Sequence, residues 1–169
     1  MNKKTLFITQ AAAIAAIYVV LTLIANAFGL ANYAIQVRFS EALTVLPFFT
    51  PVAIPGLFVG CIISNILTGC MPLDTVFGSL ATLIGAFGTY AIANKMKHNT
   101  PSKYLCVLPP IIANTIIVPF VLAYVYKFEG SIPYFMLTVG AGEIISCGIL
   151  GSILLVALNP RKDILFKTN

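Results

Sequence analysis

Glu41-Ala-Leu-Thr-Val-Leu-Pro47-Phe-Phe-Thr-Pro51-Val-Ala-Ile-Pro55-Gly-Leu-Phe-Val-Gly60 decides how this chain is folded, because the apolar run that contains it, residues 41–70, reads either as one long kinked helix or as two short ones. A proline lacks the backbone N–H and crowds the preceding turn, so Pro47, Pro51 and Pro55 interrupt the helical ladder again and again. The reading is two short helices, at about residues 41–51 and 55–70. Each is shorter than the hydrocarbon core, so each should flank a cavity or tilt sharply.

Working outward, the apolar runs 5–28, 72–94, 104–126 and 134–158 each have the length of one transmembrane helix, about 20 residues. Basic residues choose between five spans and six. Five spans set Lys95, Lys97 and Lys103 on the opposite side from Lys3 and Lys4, against the positive-inside rule. Six gather Lys3, Lys4, Lys95, Lys97, Lys103, Arg161, Lys162 and Lys167 on the cytoplasmic side and leave Arg38 and Lys127 outside. Glu41, Asp74, Glu129 and Glu143 then fall in the outer half, and Asp163 in the cytoplasmic tail. The expected fold is an all-α integral membrane protein, one domain over residues 1–169, with six transmembrane helices and both termini cytoplasmic.

Composition agrees. Of the 169 residues 59% are hydrophobic and 9% charged, and the mean hydropathy is +0.99. A water-soluble domain carries about a quarter charged residues, so this chain needs lipid around it. Its length leaves no room for a soluble ATPase or catalytic domain, and it has no Walker A sequence. The net charge of +5 sits in clusters between apolar runs, which topology explains and nucleic-acid binding does not. His98, the only histidine, lies in a lysine-rich loop and reads as solvated rather than catalytic. Cys61, Cys70, Cys106 and Cys147 show no zinc-ligand spacing and read as small buried hydrophobes. Lys3 and Lys4 before an apolar run, with Ala25-Asn26-Ala27 after it, resemble a signal peptide, but the run is too long and more spans follow. An uncleaved first helix is expected, and neither cofactor nor metal.

Polar residues stranded in apolar runs are the candidates for function, because a charge at the bilayer centre costs about 3 kcal/mol on the insertion scale. Glu143 follows Gly140-Ala141-Gly142, where glycines let a backbone or ligand come close. Gln36, Arg38, Ser40 and Glu41 form a polar step before the second span. Arg38 and Glu41 read equally as a pair at a helix N-terminus or as the mouth of a cavity. Asp74, after Pro72, reads as the N-terminal cap of the fourth span. Asn65 and Asn114 offer amide donors and acceptors to a ligand or to a neighbouring helix. Ala11, Ala12, Ala15 and Ala16 give two small-xxx-small pairs, a surface for close approach of a helix from this chain or another subunit.

From Gln36-Val37-Arg38-Phe39-Ser40-Glu41-Ala42-Leu43-Thr44 onward the chain resembles the QueT family of queuosine-precursor transporters. The likeness continues through Leu46-Pro47-Phe48-Phe49-Thr50-Pro51, Ile54 to Cys61, Leu73-Asp74 to Ala81-Thr82-Leu83, Pro109-Pro110 with Asn114, and Gly142-Glu143. Pro119 departs from the small residue expected there. The resemblance implies the substrate-binding S component of an energy-coupling factor transporter in a bacterial cell membrane. Its implied partners are a transmembrane coupling subunit, docked on the alanine-rich first helix, and two cytoplasmic ATPases. Its implied substrates are 7-deazaguanine queuosine precursors or queuine. Glu143 would accept N–H donors from the guanine-like edge, Asn114 or Arg38 would meet the ring carbonyl, and Glu41 or Asp74 would meet an aminomethyl cation. Phe39, Phe77 or Tyr124 would stack on the ring. The rivals from other classes are a proton-coupled carrier, in which Glu143 titrates, and a membrane scaffold without a ligand.

Overall fold

Pro51 is where the ambiguous run breaks. In the computed structural model, which describes residues 2–30, 37–96 and 100–166, a 3₁₀ helix at Phe39–Phe48 is followed by a turn and then by α2 (Ala53–Leu67). Within the turn the Thr50 carbonyl accepts from Ala53 N–H at 3.3 Å and the Pro51 carbonyl from Ile54 N–H at 3.1 Å. Pro55 falls in the first turn of α2, where the missing N–H has no intrahelical partner to lose. Pro47 lies inside the 3₁₀ helix. Most 3₁₀ segments end within about four residues, whereas this one runs for ten. At about 2.0 Å per residue it is about 20 Å long, well short of a hydrocarbon core of about 30 Å.

The two short helices differ from each other in a way their lengths do not foretell. Every residue from Ser40 to Phe48 is buried, so the 3₁₀ helix is the axis of the bundle rather than one wall of it. Packed around it are α1 (Lys3–Ala27), α3 (Pro72–Lys95) and the last helix of the chain. That last helix begins as α6 (Ile132–Glu143), widens into π-helical turns over Ile144–Leu150 and continues as α7 (Gly151–Leu158). A short α4 (Thr100–Leu105) leads into α5 (Leu108–Tyr124), which packs mainly on α3 and α6. Four helices are long and apolar enough to cross a membrane and two more are short and apolar, giving six passes and no strand among the described residues. The chain is a multi-pass membrane protein.

The start of α1 and the last described residues lie at the same end of the bundle. Phe48, Ala93, Cys106, Val107 and Leu155 form one buried cluster, Phe49 stacks on Phe166 with centroids 5.2 Å apart, and Gln10 shares a cavity with Leu158 and Phe166. The helix ends that carry Lys4, Lys95, Lys103 and Arg161 therefore converge, and the positive-inside rule makes that end cytoplasmic. Lys97, His98 and Lys167 lie outside the described residues.

Small residues let the helices touch. A Cβ at Gly56 would lie 2.8 Å from the Ala11 carbonyl oxygen, and one at Gly60 would lie 2.9 Å from Tyr18 Cβ and 3.1 Å from Ala15 Cα. Ala11 and Ala15 are thus spent inside the chain, against the glycines of α2, and are not the outward docking surface that the resemblance implied for them. Ala12 and Ala16, one position on, face outward and stay exposed. On the other side, α3 approaches the start of α5 so closely that a Cβ at Gly85 would lie 2.6 Å from Pro110 Cα. Pro119 does not break α5, which runs through it. Replacing Gly60 by leucine should separate α1 from α2 at a cost of about 1–3 kcal/mol; a thermal melt in detergent should show a lower Tm, while Ala16→Leu leaves the Tm unchanged.

Candidate functional site

The start of the 3₁₀ helix faces α1, and the contact is polar. Tyr18, on the inward face of α1, donates its hydroxyl to Glu41 Oε1. One turn further on, Thr22 Oγ1 donates to the Tyr18 carbonyl at 2.9 Å and can accept from Ser40 Oγ, 2.8 Å away. Glu41 is 2% exposed. Its second oxygen, Oε2, has no hydrogen-bond partner. Thr44 Oγ1 donates to the Glu41 carbonyl at 2.6 Å, one turn back along the 3₁₀ helix.

Glu143 comes to the same place from the other side. It ends α6, just before the π-helical turns, and is 7% exposed. Cys147, four residues on, donates its S–H to Glu143 Oε2 at 3.0 Å and also lies 3.4 Å from the Glu41 carbonyl and from Thr44 Oγ1. Ligand atoms of Glu41, Glu143 and Cys147 all fall within 4.8 Å of one another. That spacing would also suit a divalent ion, although the positive charge of Arg38 acts on both carboxylates and opposes one. Asn114, 4% exposed on α5, sets its amide against both carboxylates, yet Nδ2 makes no well-formed hydrogen bond. Buried polar atoms are almost always paired, so free atoms such as Glu41 Oε2 and Asn114 Nδ2 mark a place able to receive donors and acceptors from outside the chain.

Arg38 and Asn65 make a second group at the outer end. Arg38 does not pair with Glu41; its Nη1 donates to Asn65 Oδ1 at 3.4 Å, and its Nε is buried without a partner. Asn65 Nδ2 in turn lies 3.7 Å from Cys61 Sγ. The guanidinium feels Asp74 as well. Asp74 is not the helix cap expected from its place after Pro72. Met71 is the cap residue, and Asp74 sits inside the first turn of α3, where its carboxylate meets the helix dipole and accepts from Tyr126 Oη at 2.8 Å. Tyr126 Oη also accepts from Met71 N–H at 3.2 Å. Burial pushes the Tyr126 phenol above its ordinary pKa range, which keeps its proton in place for Asp74.

The aromatic candidates are not drawn into this cluster. Phe77 and Tyr124 are 44% and 69% exposed and line an apolar groove between α3 and α5 with Leu73, Ile116 and Phe120. Phe39, half-buried, begins the 3₁₀ helix. Gln36 lies outside the described residues. The aromatic that does reach the carboxylates is Tyr18, which its place three residues after Ala15 would have put on the same inward face. Cys147 had a similar local signal, four residues after Glu143; Tyr126, on a distant segment, had none. Tyr126→Phe removes the hydroxyl that ties the α3 N-terminus to the segment after α5 and leaves Asp74 short of a donor. It should cost about 1–3 kcal/mol, measured as a lower Tm and as faster hydrogen exchange at the Met71 amide.

A family model described as QueT transporter matches residues 8–160. The chain is similar to the queuosine precursor transporter QueT of Lactococcus lactis subsp. cremoris (strain MG1363), with 36% identity over 83 residues, 49% of this chain and 48% of that protein. The chain thus spans about half the length of the curated relative it matches. No solved structure matches it. The family match covers nearly all of the helical bundle and all of the buried polar cluster: the chain belongs to the QueT transporter family.

Proposed function

We propose that this chain is the membrane-embedded substrate-binding component of an ATP-driven uptake system, and that it captures 7-deazaguanine queuosine precursors or queuine at the outer face of a bacterial cell membrane. The observation that carries the reading is the gathering of Glu41, Asn114 and Glu143 around unpaired polar atoms in a bundle that is otherwise apolar. Polar groups inside a bilayer protein are kept where they hold a ligand, an ion or one another. Here several keep hydrogen-bonding capacity to spare. A deazaguanine offers a row of N–H donors for a carboxylate and a carbonyl for an amide or guanidinium, which is the complement of this set. The name of the Lactococcus relative points the same way.

The chain has no nucleotide-binding motif, so ATP hydrolysis belongs to partner subunits: two cytoplasmic ATPases joined through a transmembrane coupling subunit. The row Ala12 and Ala16 supports a docking face on α1, since it is exposed and its small side chains allow another helix to come near. Substrate enters from the end that holds Arg38, Asp74 and Tyr126 and leaves at the basic end.

Binding of queuine or a deazaguanine precursor to detergent-purified protein, followed by calorimetry, tests the first part. Glu143→Ala should weaken it tenfold or more, since a hydrogen bond to a charged group is worth about 1.5–3 kcal/mol. Absence of binding by the folded wild-type protein removes the proposal. Ala16→Leu should leave that affinity unchanged while reducing co-purification with the coupling subunit.

A further inference from the structure

The first and last helices leave a gap between them. α1 packs mainly on α2 and the 3₁₀ helix, and α7 on the 3₁₀ helix and the π-helical turns. A cavity of about 400 Å³ separates the two, floored by Leu43 and Leu46 of the 3₁₀ helix and walled by Ile14 and Ile17 of α1 and by Leu154 and Leu158 of α7. That volume falls in the range of small-molecule pockets, about 300–1,000 Å³. The cavity extends from Gln10 to Ile17 along α1, about 10 Å at 1.5 Å per residue. Ile17 is exposed, so the opening is sideways, toward lipid. Glu41 and Glu143 take no part in its lining, and the cavity is separate from the polar centre.

Two polar side chains line it, and they differ. Thr50 Oγ1 already accepts from Val52 N–H at 3.3 Å. Gln10 is half-buried, and its amide makes no hydrogen bond among the described residues. It lies six residues into α1 from Lys4, about 9 Å deeper along the helix. An amide at that depth has N–H donors for an ester carbonyl.

The cytoplasmic rim is basic. Beyond Leu158 the chain turns through Asn159–Arg161 into α8 (Lys162–Leu165), and Leu165 and Phe166 close that end of the cavity. Arg161 and Lys162 are exposed in this turn, and Lys3 and Lys4 are exposed at the start of α1 on the opposite flank. Against these four cations the terminal segments contribute one acidic residue, Asp163. An apolar groove beneath a cationic rim complements a molecule with a hydrocarbon tail and an anionic head.

We infer that this groove is a binding site for an anionic phospholipid. One acyl chain lies against Leu43 and Leu46, Gln10 donates to an ester carbonyl, and the phosphate sits among Arg161, Lys162, Lys3 and Lys4. The groove alone accepts any lipid tail; the rim selects the head group, each basic residue strengthening the attachment about fivefold. The lipid covers the flank of the 3₁₀ helix that lies open between α1 and α7, and so joins the first helix to the last. The site does not depend on what the polar centre binds.

Native mass spectrometry and thermal melts of the full chain in detergent test this, with dioleoyl phosphatidylglycerol and dioleoyl phosphatidylcholine as probes. The wild type should retain one phosphatidylglycerol per chain, at least tenfold in preference to phosphatidylcholine, and melt higher with it. Replacing Arg161→Gln and Lys162→Gln together should reduce the preference to below threefold. Ala13→Phe, at an exposed position lining the groove, should weaken phosphatidylglycerol binding at least fivefold while the lipid-free Tm stays that of the wild type. If that variant is unstable, Ile17→Trp carries the same test. Equal retention of the two lipids overturns the inference. So does a preference that survives filling of the groove, which would mean adsorption to surface charge. A Tm rise with glycerol 1-phosphate equal to that with the lipid would give the rim to a free phosphate, and a dimer that Ala13→Phe abolishes and phosphatidylglycerol does not displace would give the groove to a second copy of the chain; either overturns it.

Discussion

A carboxylate held inside a bilayer must find its hydrogen bonds within the protein, because no water and no lipid will supply them. Glu41 meets this demand at the axis of the bundle. It is placed there by the 3₁₀ helix, which is shorter than the hydrocarbon core and is covered along its length by longer helices. Those helices act as its solvent. Tyr18 reaches its carboxylate from α1 and Asn114 from α5, while Cys147, in the π-helical turns, meets its backbone carbonyl. A straight helix in place of the 3₁₀ segment and its proline turn would run past this point, and the polar atoms would have no common centre.

Close packing by small residues is the second requirement, and it follows from the first. Helices in lipid gain little from hydrophobic attraction to one another, so they need near contact and interhelical hydrogen bonds to stay together. Gly56 and Gly60 let α2 lie against Ala11, Ala15 and Tyr18, which brings the Tyr18 hydroxyl within reach of Glu41. Gly85 performs the same service for α3 against Pro110. The polar centre and the small-residue seams are therefore parts of one arrangement: shifting a seam moves a donor away from its carboxylate.

Much of this could be read from the chain before any coordinates. Three prolines in one apolar run, together with the sidedness of lysine and arginine, lead to six passes, and the break falls at Pro51. Glu143 and Asn114 stand out because polar side chains in apolar runs are costly. What could not be read is which short helix lies inside. The 3₁₀ helix and α2 are both short and apolar, and burial of the first depends on helices far away in sequence. The cap reading of Asp74 went wrong for the same reason: its partner, Tyr126, lies 52 residues on and carries no local sign. Ala11 and Ala15 were visible as a helix-contact surface, but the alanines alone do not say whose helix they touch; the answer is written in the glycines of α2.

α1 has two faces with different neighbours. Inward it holds Tyr18, bonded to the carboxylate at the centre; outward it shows Ala12 and Ala16 at the perimeter, and most of its length is uncovered by the rest of the chain. Perimeter and centre are thus joined by a single rod one helix thick. A sideways push or a rotation applied to the outer face must either carry the 3₁₀ helix along or part the phenol from its acceptor, which makes the first helix a lever arm whose short end rests on the buried carboxylate.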